Sequence, residues 1–400
     1  MTFLDAPKSP WRARAVSRPA EPRVGKSDAQ QAVSSTTLFL CGDVMTGRGI
    51  DQILPHPGNP RIYEPATDSA SEYVALAETA SGPISRPVGF AYIWGDLLPA
   101  LERRRPDARI INLETSITDS EACEPKGINY KMSLRNVPVI SAAGIDCCAL
   151  ANNHVLDWGR EGLCDTIDAL TNAGVKVSGA GRNTTEAARP AIIEISDARR
   201  VMVFGFASTT SGIPGSWAAS EQFPGVNLLA DFSDRTVAHV AESVRPLKRP
   251  GDVFVASIHW GGNWGYHIPA AQTRFAHELI DQAGIDLVHG HSSHHAKAIE
   301  VYKGRVILYG CGDFLNDYEG IPGYETYRGD LVLAYFPTID AQSGALLRFE
   351  MIPFRIRRFR LQRPSPAESE WLMRLLNREG KPFGTHVEER EAGIFTLCWR

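Results

Sequence analysis

Four of the eleven histidines fall inside the eight residues Val288–His295, namely His289, His291, His294 and His295. They follow directly on the apolar run Ile285-Asp286-Leu287-Val288. A strand pattern that empties into Gly-His-x-x-His-His reads as a ligand loop. Imidazole is a common ligand for divalent metals and also titrates near neutral pH. Histidine-rich tracts arise from surface bias as well, so the cluster alone leaves metal binding and a solvated loop both open.

Four further strand-like runs end on metal-capable side chains. Thr37–Cys41 leads to Asp43, Ala108–Leu113 to Glu114, Ile145–Leu150 to Asn152-Asn153-His154, and Val253–Ile258 to His259. Each has an ordinary alternative: a helix cap for Asp43, a surface carboxylate for Glu114, a turn residue for Asn153, a backbone-satisfied core imidazole for His259. Five such endings in one chain are harder to assign to coincidence. A mixed set of carboxylate, amide and imidazole suits Mn, Zn, Fe or Mg. One ion or two would fit, two requiring a bridging carboxylate.

The elements that must position these groups alternate as strand, loop and helix, with hairpins later. That pattern predicts an α/β domain whose site lies at the carboxyl edge of its sheet. Helices are expected over Pro99–Arg105, around Val137–Ala143, over Gly162–Asn172, Val237–Arg245 and Ala270–Ala283. Long loops are expected over 51–90 and 208–227. Residues 1–35, rich in Pro, Arg, Ser, Ala and Gln, read as a disordered tail. Residues 36–355 form the domain, and 356–400 a basic, partly helical extension packed on it.

A net charge of −4, with 43% hydrophobic and 22% charged residues, argues for a globular chain and against nucleic acid or an anionic membrane as partner. No apolar run approaches the roughly 18 residues of a transmembrane helix. The N-terminal arginines precede no apolar segment of a secretory signal. Seven cysteines form no C-x-x-C pair, so reduced thiols in a cytoplasmic protein are expected.

Taken in order, the motifs resemble a known family. Gly42-Asp43-Val44-Met45 with Arg48, Asn112-Leu113-Glu114-Thr115, Ala151-Asn152-Asn153-His154 with Asp157 and Gly159, His259-Trp260-Gly261 and the Gly290–His295 loop are arranged as in the CapA family, associated with bacterial poly-γ-glutamate capsule synthesis. The hairpin Ile299–Arg305 and the segment Tyr309–Phe314 agree, and the resemblance covers residues 37–335. It implies an αββα four-layer sandwich of the metallophosphatase (calcineurin-like) kind. It also implies Asp43, Glu114, Asn153, His259 and His291 or His294 as metal ligands, with His154 and Asp157 beside them and His154 as acid or base. The chain departs from true phosphoesterases, which open with Asp-x-His where this one has Asp43-Val44-Met45. It departs from many CapA members at Ser292, where histidine is usual.

The resemblance implies a metal-dependent enzyme acting on a glutamyl polymer or peptide, with Arg48 clamping a substrate carboxylate and a synthase complex as possible partner. CapA-like peptide epimerases of the lasso-peptide type suggest a second reaction. There His154 and His295 would exchange a Cα proton, and Trp260, Trp264 or Trp217 would line a side-chain pocket. Phosphoester hydrolysis and a non-catalytic scaffold complete the alternatives.

Overall fold

The computed structural model describes residues 35–400, so the tail expected over 1–35 lies outside the described residues except for Ser35, which opens the first strand. In chain order the main elements are β1 (Ser35–Val44), α1 (Arg48–Ile53), α2 (Ser71–Ser81), α3 (Leu97–Arg104), β2 (Ala108–Leu113), β3 (Cys147–Ala149), α4 (Gly159–Asn172) and β4 (Lys176–Ser178). Then come β5 (Ala191–Ser196), β6 (Arg199–Ala207), α5 (Asp234–Val244), β7 (Val253–His259), α6 (Ala270–Ala283), β8 (Leu287–His291), β9 (Ile299–Tyr302), β10 (Arg305–Leu308) and β11 (Asp313–Leu315). The chain closes with β12 (Leu331–Asp340), β13 (Leu346–Ile356), α7 (Pro366–Gly380), β14 (Thr385–Glu391) and β15 (Ile394–Trp399).

The two large sheets among the described residues are mixed. The first runs β14-β15-β13-β12-β1-β2-β3-β4, with β11 also paired to β1; the second runs β9-β10-β8-β7-β6-β5. Period-two alternation explains why they stack. Leu38, Leu40, Ile110 and Cys147 of the first sheet share one buried cluster with Val203, Val255, Leu287 and Val306 of the second. The residues between them point the other way. Phe39, Cys41, Ile111 and Cys148 pack against Ile50, Val74, Leu97 and Leu163 of the helices α1 to α4. Phe204, Phe254, Ala256 and Val288 pack against Val237, Val240, Phe275 and Leu279 of α5 and α6. Helices, sheet, sheet, helices: this is the expected αββα sandwich.

α7 begins with a capping box, Ser365 and Glu368 satisfying each other's backbone N–H groups, with Pro366 in its first turn. Its Leu372, Leu375 and Leu376 join the cluster between the sheets.

Two local expectations fail. The stretch 51–90, expected as loop, contains the end of α1 and all of α2; Tyr73, Val74 and Ala77 are buried, but the Ala, Ser and Glu residues around them mask the helical stripe. The helix expected over Val137–Ala143 is a 3₁₀ turn at Leu134–Asn136 followed by one α-turn at Pro138–Ser141. Pro138 removes a backbone donor that a longer helix would need.

Candidate metal centre

The site forms where the parallel strands of both sheets end. β1 advances from Leu40 to Asp43 while β2 advances from Ile110 to Asn112, a bulge at Cys41-Gly42 that re-aims the strand end. A Cβ on Gly42 would lie 1.6 Å from the Gly312 carbonyl oxygen, so only glycine permits this approach. Asp43 thereby stands in register with both Asn112 and Asp313. Its Oδ1 accepts from Asn112 Nδ2 at 2.7 Å, and its Oδ2 from the Ser292 N–H at 3.1 Å. Asn112 is held in turn by Asn152, whose Nδ2 donates to Asn112 Oδ1 at 3.1 Å and to the Leu113 carbonyl at 2.8 Å. Across the sandwich, His259 and His291 pair in register at the ends of β7 and β8.

Two donor groups share Asp43. One is Asp43, His259 and His291; the other is Asp43, Glu114 and Asp313, and within each the ligand atoms lie within 4.8 Å of one another. All five residues are buried. Burial and then the neighbouring Asp313 carboxylate push the Asp43 pKa up to about 7, against the hydrogen bonds from Asn112 and Ser292. Burial and then repulsion from Asp43 and Asp313 raise Glu114 well above the usual carboxylate range. Burial holds His259 and His291 well below the ordinary imidazole value, so both are neutral at pH 7.

Hydrogen-bond accounting tests whether these residues suit a cation. His259 Nδ1 lies 2.8 Å from His291 Nδ1, and His259 Nε2 lies 3.0 Å from Asn153 Oδ1 and 3.7 Å from Glu114 Oε1. A neutral imidazole has one N–H. If it points to Asn153, a lone pair faces His291; if it points to His291, a lone pair faces two oxygens. Three buried carboxylates add further acceptors. Buried charge of one sign is costly unless paired or bound to a metal, and a divalent cation turns this surplus of acceptors into a ligand set. The residues fit.

Beside the carboxylates stands a second arrangement. His154 Nδ1 lies 2.6 Å from Asp157 Oδ2, and its Nε2 lies 4.0 Å from Glu114 Oε1. Asp157 is itself fixed by the Tyr130 N–H at 2.6 Å and by Lys126 Nζ at 2.7 Å. The carboxylate holds the proton on Nδ1 and leaves the Nε2 lone pair toward Glu114. Burial lowers the His154 pKa to about 4, outweighing the pull of Asp157.

The family model described as bacterial capsule synthesis protein PGA_cap matches residues 37–318. The chain belongs to this family. A probable polyglutamine synthesis accessory protein of Mycobacterium tuberculosis is 48% identical to this PGA_cap chain over 363 residues, covering 90% of this chain and 95% of the relative. The capsule biosynthesis protein CapA of Bacillus anthracis is 27% identical over 281 residues, covering 70% and 60%. The PGA biosynthesis protein CapA of Bacillus subtilis is 25% identical over 317 residues, covering 79% and 70%. Among solved structures, a phosphatase from Mycoplasma pneumoniae superposes with a TM-score of 0.44 at 10% identity, covering 84% of this chain and 96% of that one.

Within this PGA_cap chain, Asp43, Glu114, Asn153, His259 and His291 converge, with His154 and Asp157 beside them. His294 is set to one side: its Nδ1 bonds Asp313 Oδ1 at 2.9 Å, and that carboxylate, with Asp43, outweighs burial to raise the His294 pKa. His295 is elsewhere in character. Its ring stacks on Tyr327 at 4.7 Å and meets Tyr266 at 4.6 Å, and burial lowers its pKa to about 4. Trp264 is half-buried, stacked on Tyr324 at 3.9 Å and 5.1 Å from the His294 ring.

Two residues expected to meet substrate are placed otherwise. The Arg48 guanidinium is buried and consumed by Asp317 and by both oxygens of Glu64, at 3.0 and 3.1 Å. It lies over Tyr130, whose ring stacks on His154 at 3.8 Å, so it braces the site from behind. Trp260 is core: its N–H donates to the Tyr309 carbonyl at 3.0 Å and its ring packs edge-on to Phe232. Asp313, Asn112 and Lys126 were not singled out by the sequence. Asp313 and Asn112 sit in quoted motifs without an assigned role; Lys126 lies in a loop with no local pattern. Ser292, which departs from the common family pattern, is held at φ 99°, a strained conformation for a non-glycine residue, and this aims its N–H at Asp43.

Proposed function

We propose that this chain binds a divalent cation at Asp43, Glu114, Asn153, His259, His291 and Asp313 and acts on a glutamyl polymer or peptide during capsule-type polyglutamate synthesis. The observation that carries the reading is the sharing of Asp43 by two buried donor groups. The ligand set is oxygen and nitrogen without thiolate, which would suit Mn, Zn, Fe or Mg, as one ion or two. A bound cation of this kind supplies polarisation of a carbonyl and a more acidic water. The chain's own residues supply the rest. His154, neutral with Nε2 free, accepts a proton; Asp157 fixes its tautomer; Lys126, with 28% of its side chain exposed and 5.3 Å from the Trp217 ring, offers a cation to an anionic substrate. The mycobacterial relative is named for polyglutamine synthesis and the Bacillus relatives for capsule and PGA biosynthesis, which supports a polymer of this kind as the substrate class.

The test is elemental analysis of the purified protein, followed by incubation with poly-γ-glutamate and short γ-linked oligomers. Bound divalent metal, with glutamate or shortened chains released by the wild type and not by Asp43→Asn, supports the reading. Metal-free protein that leaves every substrate unchanged overturns it. Deuterium wash-in at Cα without cleavage would redirect it to epimerisation, and phosphodiester turnover to phosphoester hydrolysis. The word "accessory" in the mycobacterial relatives' name favours a second reading, a non-catalytic member of a synthase complex. Complex formation that persists in Asp43→Asn would support it.

A further inference from the structure

His289, like His294 and His295, is not among the proposed ligands, but of the three it is the one that lies on strand β8 with His291. Alternation along β8 puts Leu287, His289 and His291 on the face toward the first sheet, while Val288 faces the helices. Across the ladder, Ser257 is in register with His289, and His259 with His291. All four of these polar side chains are buried.

Their contacts form an unbroken chain. His289 Nε2 lies 2.7 Å from the Cys41 carbonyl oxygen, at the β1 bulge that delivers Asp43. His289 Nδ1 lies 3.1 Å from Ser257 Oγ, and Ser257 Oγ lies 2.9 Å from His291 Nε2. Only one assignment of protons satisfies each link. A carbonyl accepts, so His289 Nε2 carries the hydrogen. A buried imidazole with no carboxylate partner is neutral, so His289 Nδ1 is a lone pair. The Ser257 hydroxyl therefore donates to His289, and its oxygen accepts from His291 Nε2–H. That leaves the lone pair of His291 on Nδ1, the atom 3.9 Å from Asp43 Oδ1 and 2.8 Å from His259 Nδ1.

We propose that Ser257 and His289 are positioning residues: anchored on the Cys41 carbonyl, they lock His291 in the tautomer whose Nδ1 lone pair faces the site, and they tie the β8 ligand to the β1 ligand across the two sheets. The proposal rests on the cation site and is independent of the substrate. Outer partners that orient ligating histidines typically account for about 10- to 100-fold in metal affinity.

Two measurements on the full chain test it. Nitrogen-15 NMR of imidazole-labelled, metal-free protein reads the His291 tautomer, and zinc titration calorimetry reads affinity. Expected are a protonated Nε2 on His291, and zinc affinity lowered by about 10- to 100-fold in Ser257→Ala and His289→Leu, with Ser257→Thr retaining most of it because it keeps the hydroxyl. Circular dichroism checks that each variant is folded. If His289→Leu does not fold, Ser257→Ala and the wild-type tautomer still decide. A hydrogen on His291 Nδ1, or wild-type zinc affinity in folded Ser257→Ala, overturns the proposal. If the wild type binds none of zinc, manganese, iron and magnesium, the cation reading fails, while the tautomer measurement still tests the relay.

Discussion

Asn112 donates to Asp43 across the parallel strands β2 and β1, Nδ2 to Oδ1 at 2.7 Å, and thereby aims the carboxylate that both donor groups share. Without this donor the buried carboxylate loses a stabilising hydrogen bond and its fixed orientation. Asn112→Ala should therefore weaken divalent-metal binding by about 10- to 100-fold, the usual cost of removing an outer-shell partner. Titration calorimetry with Mn²⁺ or Zn²⁺ checks this, and unchanged affinity would mean that the Ser292 N–H alone suffices to aim Asp43.

Asp43 and Asp313 should separate by stoichiometry. Asp43 belongs to both donor groups, Asp313 to one. Asp43→Asn is expected to abolish tight binding altogether. Asp313→Asn should keep the ion held by Asp43, His259 and His291, so a wild type loaded with two ions would fall to one. Elemental analysis after dialysis reads the difference, and loss of all metal in Asp313→Asn would make the two groups a single site.

Metal binding should be linked to pH through Asp43. Its pKa in the metal-free protein is raised to about 7 by burial and by Asp313, and a cation favours the ionised carboxylate. Below pH 7 binding must displace this proton, and Glu114, raised by burial and by Asp43, adds its own, so affinity should rise with pH by about tenfold per unit or more. His259 and His291, held neutral well below their ordinary pKa, add no dependence in that window. Titrations in buffers of different ionisation enthalpy would show about one proton or more released per ion at pH 6 and fewer at pH 8.

Arg48 and Trp260 should behave as structural residues. Removing the Arg48 guanidinium strands Asp317 and Glu64, both buried, so Arg48→Met should cost about 3–5 kcal/mol. Trp260→Ala opens a cavity beneath the sheet at a similar cost of about 3–5 kcal/mol. Denaturant unfolding followed by circular dichroism measures both. Trp264→Ala, at a half-buried stack, should cost much less.

How much of this was legible in the residues follows from how local each signal is. Strand runs ending in Asp43, Glu114, Asn153 and His259 announce themselves, because a buried strand is a short apolar run and a polar side chain at its end stands out. The four-layer sandwich was reachable through motif order and family resemblance. The partners of Arg48 were not: Asp317 lies 269 positions away, and a buried ion pair leaves no periodic trace. Nor does spacing show which histidine of 289–295 turns inward. Strand β8 extends through His291 itself, three residues further than its apolar run suggests, and that extension gives His289 and His291 a common face while His294 and His295 fall beyond the strand.

Asp157 sets the remaining prediction. Its Oδ2 holds the proton on His154 Nδ1, and Lys126 and the Tyr130 N–H hold Asp157. Asp157→Asn keeps the shape but can present an N–H to Nδ1, which moves the imidazole proton to Nε2 and removes the lone pair facing Glu114. An aspartate-to-asparagine change of this kind in the serine-protease triad lowers turnover by about 10⁴-fold through the wrong tautomer. General acid–base catalysis as a rule contributes about 10²- to 10⁴-fold, so a loss of that order in kcat on glutamyl substrates is expected, with metal content unchanged. Nitrogen-15 NMR should show the proton moved to His154 Nε2. Full turnover in a variant with the moved proton would take His154 out of the chemistry and leave it, with Tyr130 and Arg48, as part of the wall behind the carboxylates.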